Sequence, residues 1–366
     1  MMRSPCSFAV ALRRRDDSLT VMEDGMPDAR KGVLAWPLLR GVAVLVESLR
    51  LGSRALRFSA EYYEADMEEE ERKKSSGSGG TVSTLLGALR AVAGAILGLA
   101  TSELEAPPSA EASKSGRTLT TVALVGVMLL FVALPQLAAA GSSRLLGMDI
   151  DIRSPMFQVI TGVFKLIIVL GYMMAMRFVP EIRRVFMYHG AEHKAIAAYE
   201  AGEDLNVENA RAKSRFHARC GTTFLVMVVF VSILVFAGVG HLLPKLPVGT
   251  VGENVLFFLM KLPFLPVIAA VTYEIQRITA RFCHRGPLQL VLYPGFAVQG
   301  ITTIEPNDAQ IEVALASLRT TLRWERTLRE QGKADPPIPT GVTHFPDYSQ
   351  LVERSAPGAV GRADPS

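Results

Sequence analysis

Charge is scarce in this sequence and nearly balanced. Lys, Arg, Asp and Glu supply 20% of its 366 residues, 39 basic against 35 acidic, for a net charge of +4; an average soluble domain carries roughly 25%. So mild a balance leaves no nucleic-acid footprint, and no nucleic-acid partner is expected. Cysteine is scarcer still. Cys6, Cys220 and Cys283 form an odd, widely separated set that excludes a dense disulfide framework and suits a reducing compartment, or metal and thiol chemistry. A cleavable export signal is missing as well: the short apolar stretch 8–12 runs into Arg13-Arg14-Arg15-Asp16-Asp17 rather than a cleavage site, so secretion is not expected. No internal repeat is visible.

What the sequence does have is apolar residues, 49% of the chain. Four stretches, 119–140, 157–179, 222–243 and 255–275, are long enough to cross about 30 Å of hydrocarbon, which takes roughly 20 helical residues. Backbone polar groups inside lipid must bond internally, which makes helices the form for such spans. The loop 180–221 carries Arg183, Arg184, Lys194, Arg211, Lys213, Arg215 and Arg219, whereas 141–155 has only Arg144 and Arg153. Positive-inside bias therefore places the longer loop in the cytosol. Lys114 and Arg117 before the first span, and Arg277, Arg281 and Arg285 after the last, agree. The expected protein is a multi-pass cell-membrane protein with both termini cytoplasmic.

The expected fold class is mainly α and integral to the membrane. Four transmembrane helices lie in 118–286, with interfacial amphipathic helices and small cytosolic α+β elements from the N- and C-terminal segments. Segment 1–31 reads as a cytosolic β-rich hairpin. Segment 32–60 reads as an interfacial helix, because Arg40, Glu47, Arg50, Arg54, Arg57 and Glu61 recur at helical spacing opposite Leu38, Val42, Leu45, Leu49 and Leu56. The lipid bilayer, with anionic lipid on the basic stripe, is its expected partner. Segment 61–80, acidic and then Ser/Gly-rich, reads as a disordered charged linker. Segment 81–100, apolar around Arg90, reads as a re-entrant hairpin, a surface helix or a weak fifth span, and 101–117 reads as a second linker. In 287–330, stretches 288–291 and 299–303 read as strands, and Asn307 or Asp308 caps a helix with Ile311, Leu315, Leu318 and Leu322 on one face. Residues 331–366 read as a flexible tail.

The chemistry concentrates in Tyr188-His189-Gly190-Ala191-Glu192-His193-Lys194. Four-residue spacing puts His189 and His193 on one helical face, able to offer two imidazoles to one ion. His-x-x-Glu-His is also the inverzincin pattern, which makes Glu192 the candidate general base. Glu200 returns to the same face as a third ligand, or as a carboxylate that orients an imidazole. His217 and Cys220 add an imidazole and a thiol just before the third span. His189, His193, His217 and Cys220 together suit a divalent metal, zinc above all. Cys220 as a nucleophile with His217 as its base is an alternative. Glu274, near the cytosolic end of the fourth span, is expected to pair with Arg277. Lys165 and Lys261 lie about 10 to 12 Å inside the outer ends of their spans, where they either snorkel or share a cavity for an anionic headgroup. Glu305 is a further candidate from the terminal segment.

The order of these motifs resembles the YqhQ-like family of bacterial membrane proteins, a family of unknown function described as predicted metal-dependent enzymes. The matching stretches are Met1-Met2-Arg3-Ser4-Pro5, Pro37-Leu38-Leu39-Arg40-Gly41-Val42, the histidine motif at 188–194, Arg215-Phe216-His217-Ala218-Arg219-Cys220-Gly221-Thr222, and Gln299-Gly300-Ile301-Thr302-Thr303 with Glu305-Pro306 and Asp308. The resemblance implies a multi-span plasma-membrane protein with a metal site at His189, His193, His217 and Cys220, and it brings no substrate. The chain departs from the family in lacking a Gly-rich segment ahead of Met1 and in its linkers, which look like insertions. The expected function is a metal-dependent site on the cytosolic face, acting as a hydrolase. The rival is a non-enzymatic scaffold or assembly factor in which a structural metal or a hydrogen-bonded His/Cys cluster folds the loop. A transporter of lipid or small solutes would need a homo-oligomer, since four spans contain no charged pathway.

Overall fold

The computed structural model describes residues 1–26, 36–74, 125–126, 129–147, 150–240, 256–257, 259–282, 292–330 and 340–355. The expected segments 81–100 and 101–117 lie outside them. The described residues are mainly helical, with one small antiparallel sheet among them. Strands β1 (Met2–Arg3), β2 (Ser7–Arg13), β3 (Leu19–Gly25) and β4 (Gly341–Phe345) lie in the order β1-β2-β3-β4. The register pairs Val10 with Met22 and Val21 with Thr343.

Five consecutive residues of β2 are buried because both faces of the sheet are covered. Phe8, Val10 and Met22 pack on Leu51, Ala55 and Phe58 of helix α1 (Leu39–Lys74). Ala11, Leu19 and Val21 pack on Val313 and Ala316, while the Ser7 hydroxyl donates to Thr321 O. Side chains alternate across a strand, so one hairpin serves two helices.

Helix α1 corrects one expected boundary. It runs unbroken to Lys74, so 61–74 is helical rather than linker. Its apolar face from Leu51 onward covers the sheet, and its start packs on another helix, where a Cβ at Gly41 would lie 3.1 Å from Ala270 Cα.

Among the described residues, two helices are long and apolar enough to cross a membrane, rather than four. They are α3 (Pro155–Met176) and α6 (Gly221–Val239). They pack closely, since a Cβ at Gly162 would meet the Ile233 side chain. The expected first span is described only in part, as a π-turn (Leu129–Ala133) and α2 (Leu134–Leu145). The expected fourth span breaks into a 3-10 turn (Leu262–Phe264) and α7 (Leu265–Phe282) at Pro263, whose missing N–H and fixed φ interrupt a continuous helix. Glu274 of α7 pairs with Arg40 of α1, through Nε to Oε1 at 2.6 Å, rather than with Arg277.

Between α3 and α6 run α4 (Pro180–Glu200) and α5 (Val207–Ala212). Beyond α7 comes α8 (Tyr293–Thr302), a helix where 299–303 reads as a strand. A short apolar run does not distinguish the two forms; Pro294 in the first turn and a Gly295 that fits against Thr223 favour the helix. Asn307 then caps α9 (Asp308–Glu330): its Oδ1 accepts from Gln310 N at 2.9 Å, and Gln310 Oε1 accepts from Asn307 N at 3.0 Å. Ile311, Leu315 and Leu318 face Ala191, Ala195 and Ala198 of α4. The 331–366 segment is not tail throughout, because β4 joins the sheet and Leu351 of α10 (Tyr348–Ser355) buries beside Phe345.

Gly190 sets how near α4 comes to the segment after α8: a Cβ there would stand 2.3 Å from Ile304 O, and Ile304 N donates to Phe186 O at 3.0 Å. Gly190→Ala should therefore lower the thermal midpoint by the equivalent of about 1–3 kcal/mol. Gly171→Ala on α3, with open space at that position, should be neutral or stabilising. Equal midpoints for the two variants would show that this close approach carries no stability.

Candidate metal centre

Helix α4 carries His189 and His193 one turn apart, with ring centroids 4.5 Å from each other. Each Nδ1 faces a backbone carbonyl, His189 that of Thr302 at 3.0 Å and His193 that of Arg215 at 2.5 Å. A carbonyl oxygen can only accept, so both Nδ1 atoms carry a proton and both Nε2 atoms are left to face another partner. They meet at Cys220. Its Sγ lies 3.2 Å from His189 Nε2, and His193 hydrogen-bonds to the same sulfur.

Cys220 occupies the N-cap of α6 with extended backbone, so its thiol sits at the positive end of a helix dipole. Thr222 Oγ1 is 3.1 Å from the sulfur, and Gln276 Nε2 holds the Cys220 carbonyl from α7 at 2.8 Å. Burial works against the thiolate, but the hydrogen bonds and charges of His189 and His193 prevail and lower the thiol to about 5. Burial likewise works against a charged His189, yet its bond to Cys220, with Thr302 O adding, raises it to about 8. Without an ion the pair is thiolate and imidazolium between those values.

The potential ligand atoms of His189, His193 and Cys220 all lie within 4.8 Å of one another. Ligands bound at about 2.0–2.3 Å in a tetrahedron stand about 3.3–3.8 Å apart. Small side-chain shifts would close the group onto one zinc ion, and the nitrogen and sulfur donors suit it. The residues present therefore fit the metal.

The other sequence candidates sit around this group. His217 is beside it, its ring 5.8 Å from that of His193, but its nitrogens are engaged elsewhere. Nδ1 accepts from Arg219 N at 3.3 Å, and Nε2 donates to Glu200 Oε2 at 3.1 Å. Glu200 thus faces His217 and Arg219 rather than the three-donor group. Glu192 lies within charge range of His189, and its carboxylate pairs with the amino group of Met1. Glu305 pairs with Lys194, Oε1 to Nζ at 2.7 Å.

A family described as a protein of unknown function, DUF1385, matches residues 36–324. The chain belongs to the DUF1385 family. The uncharacterised protein YqhQ of Bacillus subtilis (strain 168) is 31% identical to it over 343 residues, 89% of this chain and 90% of that protein. No solved structure matches.

Two residues that hold this DUF1385 centre together are not evident from spacing. Fully buried Gln299 of α8 clamps the loop before Cys220, accepting from His217 N and donating to His217 O and Thr223 Oγ1, each at 2.8 Å. Buried Lys194 donates to Arg211 O at 2.7 Å and Lys213 O at 2.8 Å, fixing the stretch that offers its carbonyl to His193. The only signals in the sequence are a lone amide in an apolar helix and a lysine beside a metal motif, and neither names a partner.

The thiol makes this geometry measurable. In metal-free protein, iodoacetamide modification of Cys220, read peptide by peptide, should rise as pH passes about 5 and flatten well below the ordinary thiol range near 8.5. His189→Ala should move that midpoint up toward the ordinary range. An unchanged midpoint would show that His189 does not hold the thiolate.

Proposed function

We propose that this protein is an integral membrane, metal-dependent hydrolase whose zinc is held at the cytosolic face by His189, His193 and Cys220. The observation that carries the reading is the pair of carbonyl-fixed imidazoles turned onto one thiolate. Imidazoles oriented through Nδ1 by main-chain carbonyls are the usual support of metal-binding histidines. Three protein donors leave the fourth position of a tetrahedral ion open, which distinguishes a catalytic from a closed structural site. When bound, the ion would supply Lewis-acid activation of water near neutral pH.

The residues around it have roles of their own. His217, held by Glu200 and Arg219 N, stands beside the group and would serve as a base only on giving up its bond from Arg219. Glu192 is the alternative base, at the edge of the histidine face on the rigid helix α4. Gln299 and Lys194 position the loop 211–220 and touch no reactant.

The membrane reading has support of its own. Only 17% of the most apolar window of α3 and 22% of that of α6 is buried within the protein. Val159, Val163 and Ile167 on α3, and Leu225, Phe230 and Leu234 on α6, face outward, as lipid-facing residues do and residues of a soluble core do not. The candidate centre follows the C-terminus of α3 and precedes α6, among Arg177, Arg183, Arg184, Arg211, Arg215 and Arg219; positive-inside bias supports a cytosolic location for that end, and two spans joined there support a multi-pass chain.

Elemental analysis of detergent-purified protein should find about one zinc per chain. His193→Ala should lose it and His217→Asn should keep it. Zinc that survives His193→Ala would exclude this ligand set. If His217→Asn retains zinc and folding but fails to restore growth or lipid composition to a deletion strain, the site is catalytic. Full restoration by both His217→Asn and Glu192→Gln would favour a scaffold with a structural metal.

A further inference from the structure

At the end of α3 and α6 remote from the candidate centre, a second polar group lies among apolar side chains. Lys261 is buried, 7% exposed. Its Nζ donates to Gln158 Oε1 at 2.8 Å and lies over the rings of Phe257, at 4.3 Å, and Phe236, at 4.8 Å. It does not snorkel. Gln158 is turned toward it by its own Nε2, which donates to Ile152 O at 2.6 Å.

Gln158, Thr161 and Lys165 are three and four residues apart, on one face of α3. Lys165 stands two helical turns from Gln158 on that face, about 10 Å along α3 from the residue that holds Lys261. Neither lysine has an acidic partner among the described residues, and half-buried Lys165 has no hydrogen-bond partner there. Between Gln158 and Lys165 the Thr161 hydroxyl is buried without a hydrogen-bond partner. Two like charges and an unanswered hydroxyl in apolar surroundings are costly unless something negative bridges them.

We infer that Lys165, Lys261 and Thr161 form a binding site for a phosphate-type oxyanion, with Gln158, Phe236 and Phe257 holding Lys261 in place. Both ammonium groups and the hydroxyl would donate to the oxyanion, while the Gln158 amide is engaged at both ends, its Oε1 by Lys261 and its Nε2 by Ile152 O. Two sources offer this chemistry, the phosphate of an anionic phospholipid and free inorganic phosphate. Lys165 lies about 15 Å along α3 from its start at Pro155. The lipid source rests on the membrane reading above; the anion site itself does not.

The test uses the full chain in detergent, with dioleoyl-phosphatidylglycerol, dioleoyl-phosphatidylcholine and sodium phosphate as probes, read by native mass spectrometry and by thermal midpoint. Wild type should retain phosphatidylglycerol in preference to phosphatidylcholine, and Lys165→Gln and Thr161→Val should weaken that retention, about tenfold for the lysine. Stabilisation by sodium phosphate, lost in the same variants, would assign the site to a free anion instead. Lys261→Gln serves as a third variant and, should it not fold, the two milder substitutions still decide. Equal phosphatidylglycerol retention by wild type, Lys165→Gln and Thr161→Val, with no phosphate effect, would overturn the inference. A His193→Ala protein that has lost zinc should bind phosphatidylglycerol as wild type does, which separates failure here from failure of the metal reading.

Discussion

Two backbone carbonyls, those of Thr302 and Arg215, decide which nitrogen each histidine of α4 offers. A free imidazole can exchange its tautomers; one whose Nδ1 is held against a carbonyl cannot do so without losing that bond. The Nε2 atoms of His189 and His193 are committed to the side where Cys220 sits, and the thiolate is stabilised from that side. The carbonyls need support in turn. Thr302 reaches His189 because Gly190 lets α4 lie against Ile304, and Arg215 reaches His193 because Lys194 draws in the carbonyls of Arg211 and Lys213. Histidine, glycine and lysine of one short motif thus serve a single geometry from three directions.

The electrostatics follow from that placement. A thiolate at the start of α6 receives the field of the helix and hydrogen bonds from two imidazoles, which together outweigh the cost of burial. The same contact makes His189 more basic, so in metal-free protein the two groups share charge instead of remaining neutral. To serve as a ligand His189 must give up the proton that it holds toward the sulfur, so uptake of metal would release protons.

Much of this is legible in the sequence, for physical reasons that also mark where reading stops. The i, i+4 spacing of His189 and His193 specifies a shared helical face, and that face exists. Cys220 is recognisable as a nearby soft donor. The partners of His217 are not, because one helical turn of spacing to Cys220 assumes a helix, whereas α6 begins only at Gly221 and the loop before it turns His217 toward Glu200. The end of α8 reads as a strand because a short apolar run has no decisive period. The long α1 divides in the sequence because its charged end lacks an apolar stripe, although the backbone continues to Lys74. Long-range partners such as Arg40 with Glu274 leave no local trace at all.

The position of His217 bears on what kind of centre this is. Were it a fourth donor, the set would be closed, as in sites whose ion only staples a fold. Its Nε2 is instead occupied by Glu200 and its Nδ1 by Arg219 N, while its ring stays 5.8 Å from that of His193. Both nitrogens of His217 are thus committed to neighbouring groups of the protein, which keeps its imidazole out of the donor set. The separation of His217 from the donors therefore leaves a group of three convergent donors rather than a closed set of four.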